Sequence, residues 1–503
     1  MNLAGKSGRP GGGSKRAHRG TPSRGPARGT VRRGPRHIAL QIALLGQRRG
    51  GNADELLDEM LPGQSFARRD RHLAEELSYG TVRHRTALDL LIAAVSSRPV
   101  GMIDPALREI LRQAVYQSFF LTRIPDHAAV DEAVRLARAF GGDSGAAFVN
   151  AVLRAVLPLR AGRGFGRPTG AERRVTLAWR GGEHVRLTRP LLPDPDGDLP
   201  AWLSAHFSYP TWLVEQLIAE CGAERAEEIL CWGNEVPPVT VRLNRLRADQ
   251  EAVAAQPVAD LSAAGQIFSG CSAVARGELP GSYRLKLDLP IPEMPGFQRG
   301  LFSVQDEAQQ RAVAWLAPVA GDEVLDLCAA PGGKTTHMAE AAGNEARILA
   351  CDPDETRLAL IPVAAARLGL GGIATRPLSV PPVPPELRGR FDRVLADVPC
   401  SNTGSMNRRV EARWRATAEA VAELAGRQVA ILSAALEAAK PGGRVLYSTC
   451  SLLRAENGDV VRKVLGASPE WRIAREETLL PRQGVRDGAY LALLERDTKA
   501  QSG

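Results

Sequence analysis

The sequence predicts a multidomain protein of 503 residues, in which an all-α N-terminal bundle and a small α+β region precede a C-terminal doubly wound α/β domain. Three observations carry that prediction. A chain of this length exceeds what one core organises, with a prior of about three domains. Apolar residues recur at helical spacing after the first few dozen positions. From Gly300 onward, short apolar runs alternate with Ala-rich helical stretches, the texture of a parallel sheet covered on both faces.

Residues 1–37 hold the basic residues Lys6, Arg9, Lys15, Arg16, Arg19, Arg24, Arg28, Arg32, Arg33 and Arg36 and no Asp or Glu, so the formal net charge of +9 is a property of this tail. Rich in Gly, Pro and Ser, the segment has too little apolar surface to offset ordering entropy and is expected to be disordered. Such an arm adds salt-sensitive, sequence-independent affinity for RNA or DNA.

Residues 38–160 read as a helical domain. In "DEAVRLARAF", Val130, Ala133, Val134 and Ala137 form one apolar stripe. "DPALREILRQAVYQSFFL" starts a second helix with Asp104 as N-cap and Pro105 at its first position. His127 stands alone at a helix start, where a structural or capping role is expected. Residues 161–199 turn Gly-, Arg- and Pro-rich and read as a linker or surface insertion. Residues 200–297 form the small α+β region: two helices, then the strand "VTVRLNRL", with Val239, Val241 and Leu243 on one face and Arg242 on the other. Residues 298–498 carry the strands "EVLDLCA", "RILACDP", "FDRVLADVP" and "GRVLYSTCS" of the α/β domain.

Composition excludes several classes. Hydrophobic residues at 44% and charged ones at 24% fit a soluble globular protein. No stretch of 18 apolar residues and no apolar N-terminal run appears, so a cytoplasmic protein without membrane insertion is expected. Seven irregularly spaced cysteines give neither a disulfide framework nor a zinc knuckle, and no metal is expected. Cys221, Cys231, Cys271 and Cys351 are expected to be small buried hydrophobes.

Ligands of doubly wound sheets bind beyond the carboxyl ends of the strands. After the first strand stands "VLDLCAAPGGKTTH" (Val324 to His337), whose "GGKTT" looks like the end of a triphosphate loop. That loop needs a glycine five residues before Gly333, where the chain has Cys328. The glycine turn still opens a helix at about Lys334, and its positive end suits a methionine carboxylate as well as a phosphate. Asp352 ends the next strand, at the position where an acid takes ribose hydroxyls. Turn and acid together indicate an adenosine-containing ligand without a triphosphate. Two later strand ends present Asp397, Pro399 and Cys400 in "VLADVPCSNTG", and Thr449 and Cys450 in "VLYSTCS". A thiolate on the ligand-binding edge can add covalently to a substrate.

"SVQDEAQQ", "DLCAAPGGKTTHMAE", "DPDETRL", "FDRVLADVPCSNTG" and "GGRVLYSTCSLLRAENGDVV" closely resemble the RNA 5-cytosine methyltransferases of the Fmu/Sun type, which use S-adenosyl-L-methionine. "IPDHAAVDEAVRLARAFGGDSGAAFVNAVLRAVL" looks like the NusB-like RNA-binding domain of the bacterial ribosomal RNA branch, and "YPTWLVEQLIAECGAERAEEIL" with "PPVTVRLNRL" like its connecting RNA-binding region. The resemblance covers residues 38–496 apart from the 162–199 insertion. It implies a Rossmann-like catalytic domain and an RNA partner, small-subunit ribosomal RNA above all. It implies that Cys450 attacks cytosine C6, and that Cys400 assists removal of the C5 proton or release of the enzyme. Asp397 would contact the base's N3 and amino edge or the cofactor's methionine end. The cofactor would lie on Cys328, Ala329, Ala330, Pro331, Gly332, Gly333, Lys334, Asp352 and Asp397, with Lys334 touching both ligands. A thiolate addition to C6 makes C5 nucleophilic, and the base must be unstacked for it.

One departure stands out. The family's acid after the third strand would fall near Leu378, but no Asp or Glu lies between Gly371 and Pro385, so adenine recognition is expected from backbone groups or Ser379. The motifs do not encode the RNA target, which leaves transfer RNA as an alternative. A non-catalytic RNA-binding or assembly factor is a further alternative, disfavoured by the presence of both cysteines and Asp397.

Overall fold

The computed structural model of the chain describes residues 34–49, 51, 53–61, 67–247 and 267–496. The disorder expected for the basic tail falls, for residues 1–33, outside the described residues; residues 35–37 are helical instead, held by Arg36 donating to Gln117 Oε1 (2.7 Å) and by the burial of His37.

Six helices open the fold: α1 (Pro35–Arg49), α2 (Ala53–Met60), α3 (Arg68–Arg83), α4 (Arg85–Ala93), α5 (Pro105–Phe120) and α6 (Asp126–Val156). Asp104 caps α5 as expected, its Oδ1 accepting from the amides of Ala106 (2.9 Å) and Leu107 (3.2 Å). Ala133 and Ala137 of the expected stripe are buried, together with Leu136, against α5. Gly142 breaks the regular helix inside α6 at φ 65°, a conformation open to a residue without a β-carbon. His127 lies exposed in the first turn of α6.

The segment 161–199 is not a bare linker. Strands β1 (Arg160–Phe165), β2 (Thr176–Ala178) and β3 (Glu183–Leu187) form an antiparallel sheet in the order β1-β3-β2. Its Leu177, Val185 and Leu187 join the helical core. These strands are short and Arg- and Gly-bearing, so the few inward apolar positions do not show as a period.

Helices α7 (Leu199–Phe207), α8 (Thr211–Cys221) and α9 (Ala223–Asn234) pack into that same core through Trp202, Phe207, Leu213 and Leu230. The strands of the expected α+β region form a separate antiparallel sheet: β4 (Val239–Leu243), β5 (Cys271–Arg276), β6 (Ser282–Leu287) and β7 (Phe302–Val304), ordered β5-β6-β4-β7, with α10 (Pro295–Gln298) beside it. β7 lies beyond the boundary expected at residue 297, because its Phe302 completes this sheet's core with Val241 and Leu285. Val241 and Leu243 face that core, while Arg242 on the other face pairs with Glu340 at 2.6 Å.

The remaining strands, β8 (Glu323–Asp326), β9 (Arg347–Asp352), β10 (Ile373–Pro377), β11 (Phe391–Asp397), β12 (Ala439–Thr449), β13 (Trp471–Leu479) and β14 (Ala489–Arg496), form one sheet in the order β10-β9-β8-β11-β12-β14-β13. β10 through β12 are parallel, and β14 and β13 are antiparallel, so the sheet is mixed. The helices are α11 (Glu307–Leu316), α12 (Gly333–Ala341), α13 (Glu355–Leu358), α14 (Leu360–Leu368), α15 (Ala412–Arg415), α16 (Ala418–Ala438) and α17 (Gly458–Gly466). Val324, Leu395 and Leu446 bury on one face against α11 and α12. Leu325, Val394 and Val445 bury on the other against α16 and α17. Both faces are covered, which is why these strands read as continuous apolar runs; each such side chain contributes about 1.5–3 kcal/mol. Strand order reverses between β8 and β11, opening a crevice at their carboxyl ends.

Arg413 of α15 ties this domain to the helical one. Fully buried, it donates to the carbonyls of Arg83 (3.1 Å) and Gly233 (2.7 Å) and to Asn234 Oδ1 (2.8 Å), and it lies over the Tyr209 ring. Burial pushes its pKa down to about 10. The chain leading to Arg413 is the one that leaves the "PCSNTG" loop, so the helical domain braces one wall of the crevice.

Candidate active site

A cavity of about 770 Å³ occupies the crevice, and Cys328, Ala330, Pro331, Asp352, Asp397, Cys400 and Cys450 all line it. Ala329 and Gly332 complete the loop between β8 and α12, and Gly333 and Lys334 are the first two residues of that helix. At Gly332 (φ +103°) a β-carbon would stand 2.7 Å from Ile361 Cγ1, so the turn requires glycine twice over. A β-carbon at Gly333 would meet nothing within 4 Å, which leaves open space at the first residue of α12.

This loop is fastened to the end of β9. The Ala329 amide donates to the Cys351 carbonyl (2.9 Å) and the Ala330 amide to Asp352 Oδ2 (3.1 Å). Asp352 Oδ1 accepts from the Asp354 amide (2.9 Å), and each carboxylate oxygen keeps a lone pair for a ribose hydroxyl. Burial lifts the Cys328 thiol well above its ordinary range, so it contributes as a neutral, apolar wall. Past β10, Leu378, Ser379, Val380 and Pro381 line the cavity where the acid is missing. An open helix terminus, a ribose-height carboxylate and an apolar slot fit an adenosine that carries an amino-acid chain.

The other end is built from side chains. Cys450 Sγ lies 3.1 Å from Cys400 Sγ and 3.0 Å from Asn402 Oδ1. The hydrogen bond from Cys400 draws the Cys450 pKa below its usual value against the effect of burial, and the charges of Lys334 and Arg409 add to the lowering. Cys400 moves the opposite way: its bond to Cys450, then burial, hold its proton on. The pair is therefore asymmetric: the Cys450 proton, which its Sγ directs to Asn402 Oδ1, is the easier to lose and the Cys400 proton the harder. Lys334 Nζ donates to Asp397 Oδ2 (2.6 Å) and to Gln309 Oε1, and Ser448 Oγ donates to Asp397 Oδ1 (2.9 Å).

Several residues here have no counterpart in the sequence expectations. Glu456 is fully buried behind the cysteines and accepts from the Ser401 amide (2.8 Å), Ser401 Oγ, Ser451 Oγ (2.5 Å) and Gln428 Nε2 (3.1 Å). It joins the loop that carries Cys400 to the one that carries Cys450. Gln309, Asn402, Arg409 and Asp487 line the cavity. Glu456 and Gln309 stand inside quoted motifs, yet nothing local marks which of several polar residues turns inward. Of the cysteines expected to be buried, Cys351 is; Cys221, Cys231 and Cys271 are half-buried on the smaller elements, which cannot cover them fully. Among the described residues no cluster of His, Cys, Asp and Glu could hold a metal ion, and no helix is long and apolar enough to cross a membrane.

Comparison with known proteins matches residues 313–494 to the 16S rRNA methyltransferase RsmB/F family, residues 34–158 to the NusB family and residues 209–272 to the ferredoxin-like domain of RsmF/B-like methyltransferases. The chain is 32% identical to the probable ribosomal RNA small subunit methyltransferase B of Synechocystis sp., over 92% of this chain and 99% of that one. It is 30% identical to the protein of the same name from Bacillus subtilis, over 90% and 94%. The crystal structure of PH0851 superposes with a TM-score of 0.71 at 23% identity, covering 93% of this chain and all of that one, a likeness of fold.

Proposed function

The chain belongs to the RsmB/F family of S-adenosyl-L-methionine-dependent 16S rRNA methyltransferases, and from that premise we propose that it methylates C5 of a cytosine in small-subunit ribosomal RNA through a covalent Cys450–C6 adduct. The observation that carries this reading is the sulfur pair, 3.1 Å apart on the cavity wall and driven in opposite directions of proton affinity.

S-adenosyl-L-methionine supplies an electrophilic methyl group. The glycine loop and the start of α12 would hold its methionine end, Asp352 its ribose, and the 378–381 segment its adenine. Cys450 as thiolate adds to C6, the C5–C6 double bond opens, and C5 becomes the nucleophile that takes the methyl from the sulfonium, whose thioether, S-adenosyl-L-homocysteine, is the leaving group. Asp397, fixed by Lys334 and Ser448, faces the N3 and amino edge of the base, where it accepts from the amino group and from N3–H and so favours the N3-protonated ring, the form most open to addition at C6. The hydrogen bond and charge of Cys450 that hold the Cys400 proton on are gone once that sulfur is bonded to C6, so Cys400 can give its proton to solvent and act as the base. It takes the C5 proton, the C5–H electron pair restores the double bond, and the Cys450 sulfur leaves as a thiolate.

Substitution separates the two thiols. Cys450→Ala abolishes methyl transfer and forms no adduct. Cys400→Ala still transfers the methyl but stalls in release, and accumulates a protein–RNA complex that survives a denaturing gel. A trapped complex with Cys450→Ala instead would reverse the roles.

A further inference from the structure

Arg408 and Arg409 are neighbours in sequence and line the same cavity, yet their charges are used differently. Arg408 donates to Asp487 Oδ2 (2.7 Å), to Asp306 Oδ2 (3.2 Å) and to the Pro238 carbonyl (3.0 Å), so its guanidinium is spoken for. Arg409 is half-buried at the cysteine end, and among the described residues its guanidinium makes no hydrogen bond or ion pair. A partly desolvated cation left open on a cavity wall is completed by a ligand with matching acceptors.

We propose that Arg409 binds the phosphate on the 5′ side of the target cytidine and so sets C6 against Cys450. The inference rests on the cytosine reading above and adds a specific contact to it. In a nucleotide with its base anti, C6 lies over the ribose on the side of the 5′-phosphate, whereas O2 lies beyond the glycosidic bond. A sulfur aimed at C6 therefore has the 5′-phosphate, rather than O2, as the nearest acceptor for a cation at its side. Arg409 is such a cation: it lines the same cavity on the turn that follows Cys400 and Asn402, its amide bonded to the Ser405 carbonyl (2.8 Å), and its charge lowers the Cys450 pKa. The planar guanidinium fork matches phosphate oxygens in pairs. A contact of this type positions the nucleotide without reading its sequence, while the base edge is left to Asp397.

The test uses an RNA that the enzyme methylates, with and without a methylphosphonate in place of the phosphate 5′ to the target cytosine. Wild type and Arg409→Gln are compared by kcat/KM for methyl transfer. Each change alone lowers kcat/KM by about 10- to 100-fold, the scale of one charged hydrogen-bonded contact. Made together they cost no more than either alone, since both remove one contact, and Arg409→Lys recovers part of the loss on the phosphate RNA only. Losses that multiply, or a lysine rescue that persists on the methylphosphonate, overturn the assignment of Arg409. Mass spectrometry of the unmodified RNA after reaction tests the underlying reading separately: a methylated base other than 5-methylcytosine overturns that reading, whatever the kinetics of Arg409.

Discussion

The two ends of the cavity are made in different ways. The end proposed for the cofactor is a run of consecutive residues, Cys328 to Lys334, whose backbone supplies the turn, the helix terminus and the close approach to Ile361, with Asp352 among the carboxylates that anchor it. The cysteine end is an assembly of side chains from separate segments: Gln309 from α11, Asn402 after β11, Cys450 after β12, and Glu456 beyond it. A backbone-built end tolerates the loss of a side chain and pays only in ligand contact. A side-chain network shares its hydrogen bonds, so losing one member strands several partners and disturbs geometry and stability together.

Replacing Glu456 gives the largest expected effect. Glu456→Ala leaves the buried Ser401 amide without its acceptor and takes the charged acceptor from the Ser401 and Ser451 hydroxyls and from the Gln428 amide, which keeps the Pro399 carbonyl. The expected cost is about 3 kcal/mol, which lowers the melting temperature of the α/β domain, a unit of about 200 residues, by about 6–12 °C. Methyl transfer falls with it, because Cys400 and Cys450 stand on the two loops that Glu456 joins. Glu456→Gln keeps an acceptor oxygen and falls between the two. Thermal unfolding and single-turnover transfer, measured on the same preparations, check both; a stable but inactive Glu456→Ala would show that the network serves chemistry without holding the loops.

Asp352→Ala is the matching substitution at the other end. It removes a carboxylate with room for two ribose hydroxyls, and affinity for S-adenosyl-L-methionine should fall by about 1.5–3 kcal/mol, roughly 10- to 150-fold. Stability should change little beside Glu456→Ala, since the amides of Ala330 and Asp354 sit at the cavity edge and can take water. Calorimetric titration with the cofactor reads the affinity. An unfolding cost as large as that of Glu456→Ala would erase the contrast between the two ends.

The same contrast explains what could be read from the sequence. Glycine turn, Asp352, Asp397 and both cysteines were legible because each follows an apolar strand, and the sheet aligns all strand ends on one edge. The parallel strands themselves were legible because both faces are buried. β13 was not: in "WRIAREETL" the charged outward residues dilute the apolar ones, and only its pairing with β14 makes it a strand. The 161–199 sheet was hidden for a similar reason, having just a few inward residues on strands of three to six residues. Arg409 and Glu456 were hidden by chain distance. Arg408 and Arg409 look alike in sequence, and only the folded positions of Asp306 and Asp487 distinguish the neutralised arginine from the open one.

The smallest expected effect sharpens the comparison inside the cysteine end itself. Cys450 has its proton affinity lowered first by the hydrogen bond from Cys400, with Lys334 and Arg409 adding their charges. Adduct formation requires the thiolate, so its rate rises with pH through the Cys450 pKa and levels off above it. Because that pKa lies below the ordinary thiol value, the wild-type rise falls on the acid side of a free cysteine. Removing the Cys400 donor in Cys400→Ala takes away the largest lowering influence and leaves the two cations, so the midpoint moves to higher pH while the plateau rate of adduct formation is retained. Lys334→Met should move it the same way by a smaller amount. Rapid quench of adduct formation at a series of pH values under single-turnover conditions measures this directly, since release plays no part in it. A midpoint unmoved in Cys400→Ala but raised in Lys334→Met would mean that charge alone activates Cys450, with Cys400 reserved for the departure of the product.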